Sequence, residues 1–179
     1  MMNKFNFSYF LNAIHYCLYL QEVWTNKKFE KITNKTFSWI YGFFFFKKFK
    51  KSYNQEVKTY MYDEKEGLSI GIAHHLFGYL YSCYPLSFSL FMEGCIFKIN
   101  NDLDILTKFA ILAIPIGLCY IPAYKAVLYK DRYLKYFEQF KKENEEWHKK
   151  WKRITIVFSV MSIVSFILGI ASMWVILLL

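Results

Sequence analysis

With 179 residues, 55% of them hydrophobic, and 23 Lys and Arg against 14 Asp and Glu, this chain must keep its apolar and charged residues apart to fold at all. Apolar runs of about 20 residues with almost no charge exclude an ordinary soluble domain, because a surface helix needs a polar outward face. The length also leaves no room for a separate soluble domain of ordinary size beside a membrane unit.

Taken in chain order, "FNFSYFLNAIHYCLYLQEVW" at 5–24 comes first. It is long enough to span, yet it holds Asn6, Ser8, Asn12 and His15, and its apolar residues Phe7, Phe10, Leu11, Ile14, Cys17 and Leu18 recur at helical spacing. That pattern predicts an amphipathic helix lying in the interface with its apolar face among acyl chains. A fourth crossing is the alternative. A signal peptide fits poorly, with only Lys4 ahead of the run and no small-residue cleavage site after it. "FSWIYGFFFF" at 37–46 is too short to cross as a helix, and Trp39 and Tyr41 suit the headgroup level. "KKFKK" at 47–51 reads as an anchor on anionic headgroups, and no nucleic-acid partner is expected. Residues 1–67 thus form a basic, aromatic, interfacial segment.

Residues 68–179 are expected to form a membrane helix bundle. Its spans are predicted at 68–97, 109–128 and 154–179, with a cytoplasmic helical loop at 129–153. The first span opens on "GLSIGIAHHLFGYL" and is interrupted only by His74, His75 and Glu93. Gly67, Gly71, His74 or His75, Gly78, Ser82, Ser89 and Glu93 share one face. Gly67 and Gly71 make a GxxxG pair, the spacing that lets two backbones approach in lipid. His74 and His75 differ by about 100° around the helix, so one should face the bundle and the other the headgroups. Glu93 is within reach of Lys98 or Lys108. Pro85, Pro115 and Pro122 are expected to kink their helices. The second span repeats the small-residue device with Ala110, Ala113 and Gly117, and the third with Ser162, Ser165, Gly169 and Ser172, which predicts a tight bundle of three helices, or one that pairs with copies of itself or with a partner.

The loop "YKDRYLKYFEQFKKENEEWHKKWKR" has no Gly or Pro, and Tyr133, Tyr136, Phe137, Phe140, Trp147 and Trp151 lie near one helical stripe. As a single helix it would end about 37 Å from its start, so either it lies along the membrane or it folds into a hairpin near Lys142–Asn144, a solvated helix pair with Trp147 and Trp151 returning onto Tyr133 and Phe137. An aromatic stripe edged by charge is also how a helix offers itself to a partner. Tyr133, Phe137, Phe140, Trp147 and Trp151 are therefore the candidate partner contacts.

Charge sets the expected orientation. Residues 1–67 carry eleven lysines against six acids, and 129–153 carry nine basic residues against five acidic ones, while "KINNDLD" at 98–104 has one lysine and two aspartates. The positive-inside rule places the amino terminus and the 129–153 loop in the cytoplasm and the carboxyl terminus outside, in a plasma or inner membrane.

The fold class expected is an all-α integral membrane protein of three, possibly four, spans with an amphipathic cytoplasmic hairpin. Catalytic signatures are missing from the sequence: there is no P-loop, nucleophile elbow, HExxH or CxxC. No metal or cofactor is expected, since His15, His74, His75 and His148 do not supply converging ligands. A bis-histidine haem would require His15 to stand opposite His74 or His75. Three uses remain. The first is a non-enzymatic membrane subunit or adaptor, partnered by the bilayer and by copies of itself or another membrane protein. The second is an oligomeric pore or proton carrier built on Gly71, His75, Gly78, Ser82 and Glu93. The third is a membrane-embedded enzyme or redox unit around His74 and His75.

Overall fold

The computed structural model describes residues 6–41, 58, 60–100, 102 and 104–178, with side chains placed as far as residue 32 in the first helix. "KKFKK" at 47–51 and residues 42–46 of the 37–46 stretch lie outside the described residues, while 37–41 form the end of α1. The elements are α1 (Phe7–Tyr41), α2 (Leu68–Ile99), α3 (Ile105–Val127), a 3-10 turn (Tyr129–Asp131), α4 (Arg132–Phe140) and α5 (Glu145–Leu178). Among the described residues there is no strand, so the all-α expectation stands.

Local chemistry sets the helix starts. The side-chain oxygens of Asn6, Asp104 and Asn144 accept from the backbone N–H groups of Tyr9, Thr107 and Trp147 (3.3, 3.3 and 2.9 Å), each satisfying a donor left orphaned at a helix amino terminus. Gly67 precedes α2 where a Cβ would come within 2.3 Å of the Asp63 carbonyl oxygen. It is needed for that tight turn; its GxxxG partner Gly71 has nothing within 4 Å of where a Cβ would stand. The expected close packing at this pair is therefore not found. Helices α2 and α3 run on through Pro85, Pro115 and Pro122.

Helix α2 lies between α3 and α5. It runs parallel to α5, with Tyr84, Ser87 and Ser162 hydroxyls donating to the carbonyls of Phe158, Ser165 and Leu80 (2.8, 2.6 and 2.7 Å). On its other side α3 runs antiparallel, with the Ser89 hydroxyl donating to the Leu112 carbonyl at 3.2 Å and that of Tyr81 to Cys119 at 3.3 Å. No packing joins α3 to α5. The three helices form a row, because the tight small-residue contacts run between α2 and α5. There Gly169 abuts Ser87 and Gly94 abuts Met173, whereas Gly117 of α3 faces open space.

Two helical stretches, Ile105–Phe140 (its apolar part being α3) and Glu145–Leu178, are long and apolar enough to cross a membrane. Their most apolar windows are 0% and 17% buried, the reverse of a soluble protein's core helix. Ile105, Leu106, Phe109, Leu118, Val157, Val160, Ile167 and Leu168 all point outward, an apolar surface that water would not tolerate as a contiguous patch.

At one end of the row the chain forms an aromatic head around α1. Residues 11 to 19 are buried without interruption. This corrects the interfacial expectation: no face of these turns is left for acyl chains, because α2, α3, α4 and α5 cover α1 on every side. Ile70 and Phe77 of α2, Ala126 and Val127 of α3, Phe137 and Phe140 of α4, and Trp147 and Trp151 of α5 make up the sleeve. The hairpin turn is where the spacing predicts it, between Phe140 and Glu145. Its arms meet where Phe140 stacks on Trp147 (4.8 Å, 28°), and Tyr16 of α1 packs beside that pair, 4.8 Å from Phe137 and 6.4 Å from Trp147.

Helix α3 does not run straight on into the hairpin. Lys130 and Asp131 both have φ of 53°, a left-handed conformation that costs about 1–2 kcal/mol per non-glycine residue. The break turns Tyr133, Phe137 and Phe140 toward α1, where they are at most 1% exposed, and burying three such rings offsets that strain.

Candidate functional site

Ser8, Asn12, His15, Tyr19 and Asn26 recur on α1 at steps of three, four and seven residues, so they form one polar stripe along a buried helix. Each finds a partner. Ser8 and Asn12 donate to the Ala126 carbonyl (3.2 and 3.0 Å), one of the acceptors that the end of α3 leaves open. Tyr19 donates to the Tyr62 carbonyl at 3.1 Å, and Asn26 to Ser69 Oγ at 3.0 Å. At the centre of the stripe, His15 Nε2 lies 2.8 Å from His74 Nδ1.

The two imidazoles are stacked, with centroids 4.8 Å apart and planes at 23°. Phe77, Tyr133 and Phe137 surround His15 at 5.4–5.5 Å. One nitrogen carries the shared proton and the other accepts it. His15 Nδ1 and Asn12 Oδ1 are buried and have no hydrogen-bond partner. Of the two histidines the sequence offers for the interior, the structure takes His74; His75 is exposed and stacks beside Tyr79 at 6.3 Å. His15 does stand opposite His74, as a haem would require, but the nitrogens touch directly and leave no place for an iron between them. Among the described residues no three His, Cys, Asp or Glu side chains gather to hold a metal. The cysteines are free: Cys17 is buried, Cys83 and Cys95 are half-buried, and Cys119 is exposed.

If the pair acts as a lock between α1 and α2, a double-mutant cycle will show it. His74→Leu alone leaves His15 unpartnered in an apolar site and should cost about 1–3 kcal/mol. Combining it with His15→Leu should restore part of that loss, a coupling of about 0.5–3 kcal/mol, read from thermal unfolding of the purified protein. Strict additivity would remove the lock.

The rest of the expected packing face divides. His74, His75, Gly78 and Ser82 border a groove of about 630 Å³ between α2 and α3, with Ala113, Gly117 and Tyr120 opposite. Glu93 lies farther along α2, half-buried, and among the described residues it makes no ion pair with Lys98 or Lys108; the Lys108 ammonium sits over the Phe97 ring instead, at 4.5 Å. The five aromatic residues read as partner contacts are turned inward. Tyr133, Phe137 and Phe140 are core, and Trp147 and Trp151 are half-buried against Tyr9 and Phe10 of α1. The stripe read as a partner surface is covered by the chain's own first helix.

At the hairpin turn, Lys141 bridges Glu64 (2.7 Å) and Glu138 (2.8 Å). The Glu138 and Glu64 carboxylates hold its pKa above the usual lysine range, while burial pushes the Tyr133 phenol up to about 12. Neither group changes charge near neutral pH. Comparison with protein-family models, with curated proteins and with solved structures gives no match.

Proposed function

We propose that the protein is a small, non-enzymatic multi-pass membrane subunit whose head and amino terminus lie in the cytoplasm and whose carboxyl terminus lies outside. In this reading α2, α3 and α5 are the spans. The observation that carries it is the row itself: α2 runs parallel to α5 from the Leu80–Ser162 contact to the Gly94–Met173 contact, so a bilayer crossed by this part of α5 is crossed by α2 as well. The basic 129–153 segment belongs to the head end, which supports the orientation. The membrane is the plasma or inner membrane.

Since α1 already covers the aromatic stripe, the surface left for a partner helix is the α2–α3 groove, where Gly78, Ala113 and Gly117 permit close approach. A second reading, an oligomeric pore or proton carrier, draws support from His74, His75 and Ser82 bordering that groove. A row of three helices encloses no path alone, so this reading needs several copies.

Thiol labelling tests the orientation. With Cys83, Cys95 and Cys119 replaced by serine, Asn100→Cys should react with a membrane-impermeant maleimide on intact cells, and Lys142→Cys only after permeabilisation. The opposite pattern would overturn the topology. Cross-linking before extraction in mild detergent then separates the two readings. A second protein at fixed stoichiometry supports a subunit, copies of this chain alone support the pore, and an uncross-linked monomer defeats both.

A further inference from the structure

A second cavity, of about 400 Å³, lies between the start of α1 and the outer side of α4, lined by Asn6, Tyr9, Arg132, Lys135, Tyr136 and Gln139. We propose that it binds the phosphate group of an anionic lipid headgroup.

The chemistry of the lining carries this assignment. Two cations and two side-chain amides meet here, and no carboxylate lines the cavity. Neither Arg132 nor Lys135 belongs to an ion pair among the described residues. One guanidinium nitrogen of Arg132 donates to the Lys125 carbonyl at 3.2 Å, which steadies the group and leaves its remaining N–H donors for a ligand. Asn6 Oδ1 is engaged by the Tyr9 backbone N–H at 3.3 Å, so the amide presents its donating nitrogen. The Tyr9 hydroxyl accepts from Trp147 Nε1 at 2.9 Å and keeps its own hydrogen to give. The amino terminus of α1 adds its positive dipole end. Such a set has positive charge and donors in excess and no anionic acceptor, the complement of a phosphate. The volume falls in the range of small-molecule pockets and exceeds what a bare ion fills.

Depth indicates the source. The bond from Arg132 to Lys125 holds the guanidinium level with the last turn of α3. On the membrane reading, on which the choice of a lipid rests, that is where hydrocarbon gives way to headgroups, the level that tyrosines and basic side chains favour.

The test uses the full chain purified in a neutral detergent and titrated with dioctanoyl phosphatidic acid, with dioctanoyl phosphatidylcholine and inorganic phosphate as separate probes. Phosphatidic acid is expected to bind best, and the double variant Arg132→Gln/Lys135→Gln to weaken it about tenfold. Lys149→Gln/Lys152→Gln, which removes the same charge elsewhere, should leave binding within about twofold. Both substituted side chains of the first pair are exposed, and an unchanged melting temperature confirms that the variant is folded. Equal weakening by both double variants overturns the pocket, as does phosphatidylcholine binding as well as phosphatidic acid. Inorganic phosphate binding as tightly as the lipid overturns the headgroup assignment. Failure of the membrane reading shows separately, in the thiol-labelling pattern.

Discussion

Phe137→Ala is expected to cost about 3–5 kcal/mol, the range for emptying a large aromatic site in a packed interior. The ring is 0% exposed and has His15, Tyr16, Tyr19 and Tyr133 around it at 4.8–5.4 Å. Three of those four residues belong to α1, so the cavity opens along the contact that holds α1 in place. Rigid rings held by several helices cannot slide in to fill it, which argues for the upper part of the range. Phe137→Leu should keep more than half of the stability, and Phe88→Ala, at a side chain 57% exposed on α2, should change little. The measurement is denaturant unfolding of the purified protein, with protease cleavage within α1 as a second reading of the same event. A Phe137→Ala protein within about 1 kcal/mol of the parent, with α1 still protected, would mean that the stripe is not the head's core. The aromatic helices would then return as the surface offered to a partner.

That prediction turns on what a local pattern can and cannot say. The 129–153 stripe groups residues that the fold packs together, and the hairpin, one of the two geometries the length argument allows, turns near Lys142, because both follow from helix geometry along one segment. The occupant of the stripe was not legible, since it is more than a hundred positions away in α1. Separation along the chain also hid the polar ladder. Ser8, Asn12 and His15 read as objections to burial, and they are objections unless each meets a partner; those partners, Ala126 and His74, come together only in the fold. Lys130 and Asp131 carry no glycine signal for the left-handed turn they make, so the break that swings α4 inward had no mark in the sequence. Small residues were legible as a class but not as pairs: Gly169 was singled out and packs, Gly71 was singled out and faces open space, and Gly94 packs on Met173 although no motif distinguishes it.

Gly169 is where the row should be most sensitive. A Cβ there would stand 2.7 Å from Ser87 Cα and 3.0 Å from its carbonyl oxygen, and a helix backbone cannot give way locally as a flexible side chain would. Gly169→Val must therefore move α5 off α2, stretching the Ser87–Ser165 and Ser162–Leu80 hydrogen bonds (2.6 and 2.7 Å). The expected cost is about 1–3 kcal/mol or more, with no hydrophobic gain in lipid to draw the helices back. Gly71→Ala is the control: nothing lies within 4 Å, and helix propensity alone predicts a gain of up to about 1 kcal/mol. Because Gly169 is eleven residues, about 16 Å, beyond Phe158 along α5, the head should keep its protection of α1 while the row loosens. Unfolding in a denaturing detergent, followed by protease cleavage in α1 and by labelling of Cys83 on α2, separates the two ends. Exposure of α1 together with Cys83 in Gly169→Val would show that head and row unfold as one unit, and the separate stability argued for the head would fall.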